Sequence, residues 1–222
     1  MKQNWWRWLG GLLILKSIII GLLIPVPQLP VIHESIRNLF YHVPMWFAMM
    51  IMFLCGVINS LRYLKNFDIR YDRLAVESVN TGLLFAFLGL FTGMIWARFT
   101  WGDFWVNDPQ LNGAGITILM YLAYLVLRHG IEEEQKRARI SAVYNIFAFV
   151  LMIVFIGILP RLSEGSIHPG KDGNPALGVK GLDATMRLVF YPAIVGWVII
   201  ALTIRKIRLT HVYLNEKLLD KE

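Results

Sequence analysis

The chain has 222 residues, of which 56% are hydrophobic and 17% charged. A soluble domain would be expected to carry about 25% charged residues, and the mean hydropathy of +0.54 also argues against one. The formal net charge of +7 needs no nucleic acid to explain it, because basic residues gather beside apolar spans where they meet anionic lipid. The single cysteine, Cys55, excludes an internal disulfide or a cysteine metal cluster.

Six apolar blocks approach the roughly 20 residues that a bilayer crossing needs. They are Trp8–Ile24, Pro44–Leu61, Val79–Ile95, Gly113–Leu127, Ile140–Leu159 and Ala184–Ile204. In hydrocarbon the backbone must satisfy its own polar groups, so each should be a helix. The expected fold is an all-α integral membrane protein with six transmembrane helices. It forms a single six-span domain over residues 1–222 with a tryptophan-rich outer loop at 96–112. The first block, flanked by Lys2 and Arg7, resembles a signal peptide. The Pro25-Val26-Pro27 run that follows it offers no small-residue cleavage site, so it reads as a retained span.

Basic residues set the expected orientation. Fifteen lie in the N-terminal segment, the second and fourth connections and the tail, against five in the other three connections. Both termini are therefore expected in the cytoplasm. His33, His42, the tryptophan loop and His168 are expected on the outer face, and His129 and His211 in inner, solvated stretches.

The first outer connection places Ile32, Ile36, Leu39 and Phe40 at helical spacing, which predicts a short amphipathic helix on the membrane surface. Pro44 then suits the first turn of the second span, with His42 at a rigid helix start. The second outer connection reads Trp96-Ala97-Arg98-Phe99-Thr100-Trp101-Gly102-Asp103-Phe104-Trp105-Val106-Asn107-Asp108-Pro109. Trp96, Trp101 and Trp105 have two readings, an interfacial aromatic belt or a ligand platform. Asp108 and Asn112 are candidate caps of the fourth span. The third outer connection, about Pro160 to Asp183, is glycine-rich and expected to be mobile when empty. It carries His168, with Pro169 biasing it away from helix.

Two water-facing imidazoles on separate elements suit the opposite faces of a flat macrocycle, and imidazole is a good ligand for heme iron. Tryptophan supplies large, rigid apolar contact with a polar N–H. Arg37, Arg98 and Arg161 are candidates to meet propionates, since guanidinium matches carboxylate geometry. No phosphate loop, HExxH or GxSxG motif occurs, so nucleotide hydrolysis, zinc proteolysis and serine hydrolysis have no support. The alternative is a small-solute or quinone-interacting membrane protein whose tryptophans are only anchors. A carrier would be expected to hold ionisable groups at mid-span, where only Lys16 lies well inside a block.

The run Trp101-Gly102-Asp103-Phe104-Trp105-Val106-Asn107-Asp108, set between outer-loop histidines, resembles the WWD signature of heme-handling proteins in cytochrome c maturation. With six spans and the run Tyr41-His42-Val43-Pro44-Met45-Trp46, the chain is most similar to the CcmC branch. Phe104 and Asn107 depart from that pattern, where tryptophan is common. The larger CcsA-type synthetases share the signature but usually have more spans. The resemblance implies a multi-pass protein of the bacterial inner membrane that binds heme b at a periplasm-facing site. By the same resemblance it would be a heme-binding and transfer protein, not an enzyme in the strict sense. His42 and His168 would be the axial iron ligands, with Trp101, Gly102, Trp105 and Asp108 forming the platform. Implied partners are membrane lipid, a CcmE-type heme chaperone and the components CcmA, CcmB and CcmD.

Overall fold

The structure, a computed structural model, describes residues 5–28, 31–169 and 182–219, and these are helical apart from short connections. The elements are α1 (Trp5–Leu23), a 3₁₀ turn (His33–Asn38), α2 (Leu39–Asn66), α3 (Ile69–Trp101), α4 (Pro109–His129), α5 (Glu134–Met152), a π-helical stretch (Ile153–Ile158), α6 (Leu159–Leu162) and α7 (Ala184–Leu219). Among the described residues, six helical units are long and apolar enough to cross a membrane, with α5, the π-helical stretch and α6 forming one of them.

The core lies where α2, α3, α4, α5 and α7 meet, around Met49, Met52, Phe53, Val79, Phe85, Tyr121 and Met152. Phe53 stacks on Tyr121 with centroids 3.6 Å apart. Outward-facing side chains are apolar too, as lipid allows: Phe91, Leu119, Val126 and Leu188 are all exposed. α1 stands at the rim and packs on α7 through two glycines. A Cβ on Gly10 would lie 2.5 Å from the Ile199 side chain, and one on Gly196 would lie 3.1 Å from the Gly10 carbonyl oxygen. Small residues at such crossings let backbones approach where no hydrophobic force acts between helices.

Among the described residues, the ion pairs that link different helices gather at one end of the bundle. Arg128 grips Asp72 through two nitrogens at 2.5 and 2.7 Å. Arg208 pairs with Glu77, and Arg73 with Glu216. These contacts join the start of α3 to the ends of α4 and α7. The α3–α4 turn and the segment after α6 lie at the other end, with His168.

Several boundaries differ from expectation. Residues 33–38 do not form a separate surface helix. They make a 3₁₀ turn that runs straight into α2, because Ile36, Leu39 and Phe40 are buried in the core against Val189 and Phe190. α2 therefore starts at Leu39, so His42 sits at the end of its first turn and Pro44 lies inside the helix. The 96–112 loop is mostly helix. α3 continues to Trp101 and α4 starts at Pro109, which leaves only residues 102–108 as connection. The expected mobility of the third outer connection falls largely on residues 170–181, outside those described.

Candidate functional site

Asp108 organises the end of the bundle that carries the tryptophans. Its carboxylate is buried at 1% exposure. Oδ1 caps α4, accepting from the Gln110 and Leu111 amides at 2.8 and 3.4 Å. Oδ2 turns the other way and accepts from the Ser166 hydroxyl and the Ile167 amide, both at 2.9 Å. The His168 amide in turn donates to Ser166 Oγ at 3.3 Å. One carboxylate thus fixes both the start of α4 and the segment that presents His168. The expected capping role is correct, and it covers only half of what this side chain does.

Gly102 ends α3 in the left-handed region, at φ +90°. That conformation suits glycine, and it turns the chain out of α3 into the connection to α4. Trp101, the residue before it, sits 6.4 Å from the His168 ring, centroid to centroid. Trp105 lies across the start of α4 and donates from Nε1 to Asn112 Oδ1 at 3.2 Å. Asn112 Nδ2 donates onward to Asn107 Oδ1 at 2.8 Å. Asn107 thus steadies the partner that orients Trp105.

His42, His168, Trp101 and Trp105 all line one cavity of about 760 Å³. Small-molecule sites run from about 300 to 1,000 Å³. Trp46, Trp96, Met50, Met94 and the π-helical stretch supply further apolar wall. Such π turns inside helices occur frequently at functional sites. Arg161 is the one cationic side chain among the described lining residues, and its guanidinium donates to the Gly157 carbonyl.

His42 does not face water. It is buried inside the bundle, flanked edge-on by Trp46 and Trp96 at 6.0 and 5.8 Å. The α2 start falls earlier than the apolar run suggests, and this draws the ring inward. His168 lies outside the spans, and burial holds its imidazole below the usual histidine range. Arg161 pushes the same way and Asp108 opposes them. A neutral imidazole keeps a lone pair free for a metal.

Other residues fall elsewhere. Arg37 is committed to Glu34 and to the Gly21 and Ile24 carbonyls at the end of α1, at 2.7 to 2.8 Å, and is not at the cavity. Arg98 and His33 are exposed and do not line it. His129 donates to the Leu125 carbonyl, and His211 accepts from Asn215, both within their own helices. Sequence reasoning gave no role to Thr92, Gly89, Gly93 or Trp46. A signal was present in the four-residue spacing of His42 and Trp46, matched by that of Gly89 and Gly93.

The fold and the site define a class. This is a polytopic membrane protein with two imidazoles, from separate elements, in one aromatic-walled cavity near one end of the helix bundle. Sequence comparison gives the family: residues 1–163 match the model of CcmC, heme exporter protein C, and the chain belongs to that family. The match stops short of His168. Heme exporter protein C of Bradyrhizobium diazoefficiens is 33% identical over 115 residues, which is 50% of this chain and 43% of that protein. A cytochrome c biogenesis protein CcsA of Prochlorococcus marinus is 34% identical over 87 residues, covering 39% of this chain and 27% of CcsA. The CcsA of a Synechococcus species is 33% identical over 89 residues, 40% of this chain and 28% of that protein. The aligned stretch thus spans less than half the length of each of these relatives. Six spanning-length helices together with the family make this a multi-pass protein of the bacterial inner membrane.

Proposed function

We propose that this protein binds heme b as cargo between His42 and His168 and passes it to a CcmE-type heme chaperone, with CcmA, CcmB and CcmD as partners in cytochrome c maturation. The observation that carries the reading is the convergence of both imidazoles on one cavity walled by Trp46, Trp96, Trp101 and Trp105. The donor set fits the cargo: two nitrogen ligands, flat apolar walls and the cation Arg161 for a propionate. By the positive-inside rule, the fifteen basic residues of the N-terminal segment, the second and fourth connections and the tail support a periplasmic cavity. The exposed edges of Phe104 and Trp105, at 54% and 41%, offer a surface on which a partner can dock. The protein acts by holding and releasing cargo, so no bond-making step is assigned to its side chains.

Co-expression with a CcmE-type chaperone tests the proposal. Trp101→Ala and Trp105→Ala should lower heme loaded on the chaperone while leaving membrane insertion intact. Aromatic contact area on a ligand face is not replaced by alanine. Wild-type loading in both variants would reduce these tryptophans to membrane anchors.

A further inference from the structure

Both nitrogens of His42 are already engaged. Trp46, one turn along α2, donates from Nε1 to His42 Nε2 at 3.2 Å. At the ring's other nitrogen, Nδ1 and Thr92 Oγ1 are 3.1 Å apart. Thr92 spends its own hydroxyl proton on the Leu88 and Gly89 carbonyls, at 2.9 and 3.0 Å. Its oxygen is therefore an acceptor toward the ring. Nε2 must likewise accept, because an indole nitrogen can only donate. These constraints agree on one form: a neutral imidazole with its proton on Nδ1 and its lone pair on Nε2.

The ring pair rests in a groove built for it. A Cβ on Gly93 would lie 2.7 Å from His42 Cε1, and one on Gly89 would lie 2.9 Å from Trp46 Cε2. Gly89 and Gly93 are four apart on α3, as His42 and Trp46 are on α2, so the two helices mesh ring against glycine. The tight fit leaves the imidazole little freedom to rotate. Metal-bound histidines almost always donate their second nitrogen to a fixed partner, which sets tautomer and orientation. Thr92 meets that description before any metal arrives.

We infer that Trp46 is an internal competitor for the iron-ligating nitrogen of His42, and that Thr92 holds that nitrogen in the ligating tautomer. The inference rests on the heme reading above. For Nε2 to reach iron, the indole N–H must withdraw. Each binding event then gives up one hydrogen bond, and each release regains it. A carrier that must hand its cargo on benefits from such a return contact, because it weakens holding without removing a ligand. Trp46 and Thr92 are positioning residues, acting on the cargo through His42.

The test is hemin titration of the full-length protein in detergent, read by absorbance. Trp46→Phe keeps the ring and deletes the N–H. It should bind hemin about two- to tenfold more tightly, the equivalent of one ordinary hydrogen bond, with the two-imidazole spectrum retained. Thr92→Val should bind more weakly and give a mixed-ligation spectrum, and Thr92→Ser should restore both. Nitrogen-15 NMR of the heme-free wild type needs no substitution and should find His42 protonated on Nδ1. Unchanged or weaker binding by Trp46→Phe, or a proton on Nε2 in the heme-free protein, would overturn the inference. His42→Ala separates the levels. If it alters the spectrum while Trp46→Phe matches wild type, only the competitor idea fails. If His42→Ala leaves the spectrum intact, the heme reading fails with it.

Discussion

Replacing Asp108 with asparagine separates its two duties, because it exchanges one carboxylate oxygen for an NH2 group and leaves the shape unchanged. As a helix cap the exchange is nearly neutral, since asparagine and aspartate cap about equally well. The carboxamide oxygen can keep the Gln110 and Leu111 amides. Its nitrogen then faces Ser166 and Ile167. The Ser166 hydroxyl can turn to accept, but the Ile167 N–H meets another donor and loses its partner at 2.9 Å. A hydrogen bond to a charged group contributes about 1.5–3 kcal/mol. At about 1.4 kcal/mol per tenfold, the segment carrying His168 should undock roughly ten to a hundred times more often. Hydrogen exchange at the Ile167 and His168 amides, measured in detergent, should accelerate by that factor while the α4 amides stay protected. Hemin affinity should fall in parallel. Wild-type exchange at Ile167 would refute the idea that this carboxylate carries the His168 segment.

Burial holds the His168 imidazole below its ordinary pKa of 6.5, so the docked residue resists a proton that the undocked one accepts. Docking should therefore be flat above pH 6.5 and weaken as pH falls below it, a trend read as faster exchange at the His168 amide and absent in His168→Gln. At the other end of the bundle, Asp72→Ala would leave the Arg128 guanidinium, whose side chain is 12% exposed, without its counter-charge. Breaking a buried pair in this way costs about 3–5 kcal/mol, so thermal unfolding in detergent should come much earlier, while the remaining folded protein binds hemin as wild type does.

The architecture was legible because bilayer physics leaves few options: six apolar blocks became six spanning-length helical units, and the all-helical fold followed. Helix ends were not legible. α3 runs on through Trp96 and Trp101 because aromatic, polar and charged residues remain helical wherever their backbone is satisfied, and only Gly102 at φ +90° stops it. The surface helix expected before α2 failed for a similar reason. Ile36, Leu39 and Phe40 fit an interfacial stripe as well as a buried one, and only α7 packing against them decides. Within the site, His42, His168, Trp101 and Trp105 stood out as residue types on one side of the membrane, and they share one cavity. Thr92 and Arg161 illustrate what sequence withholds. A threonine inside a span reads as a helix residue bonding its own backbone, which it also is. Its second contact, to His42, depends on how α2 and α3 mesh. Arg37 looked equivalent to Arg161 by charge and side, but the end of α1 claims it.

The central claim is that one heme iron is held by His42 and His168 together. The most direct test is the absorption and electron paramagnetic resonance spectrum of the purified, hemin-loaded protein, compared with those of His42→Ala and His168→Ala. Ligation by both histidines should give a low-spin, two-imidazole signature in the wild type, converted to high-spin or lost in each single variant and unaffected in His129→Ala. A wild-type signature surviving in either His42→Ala or His168→Ala would contradict it.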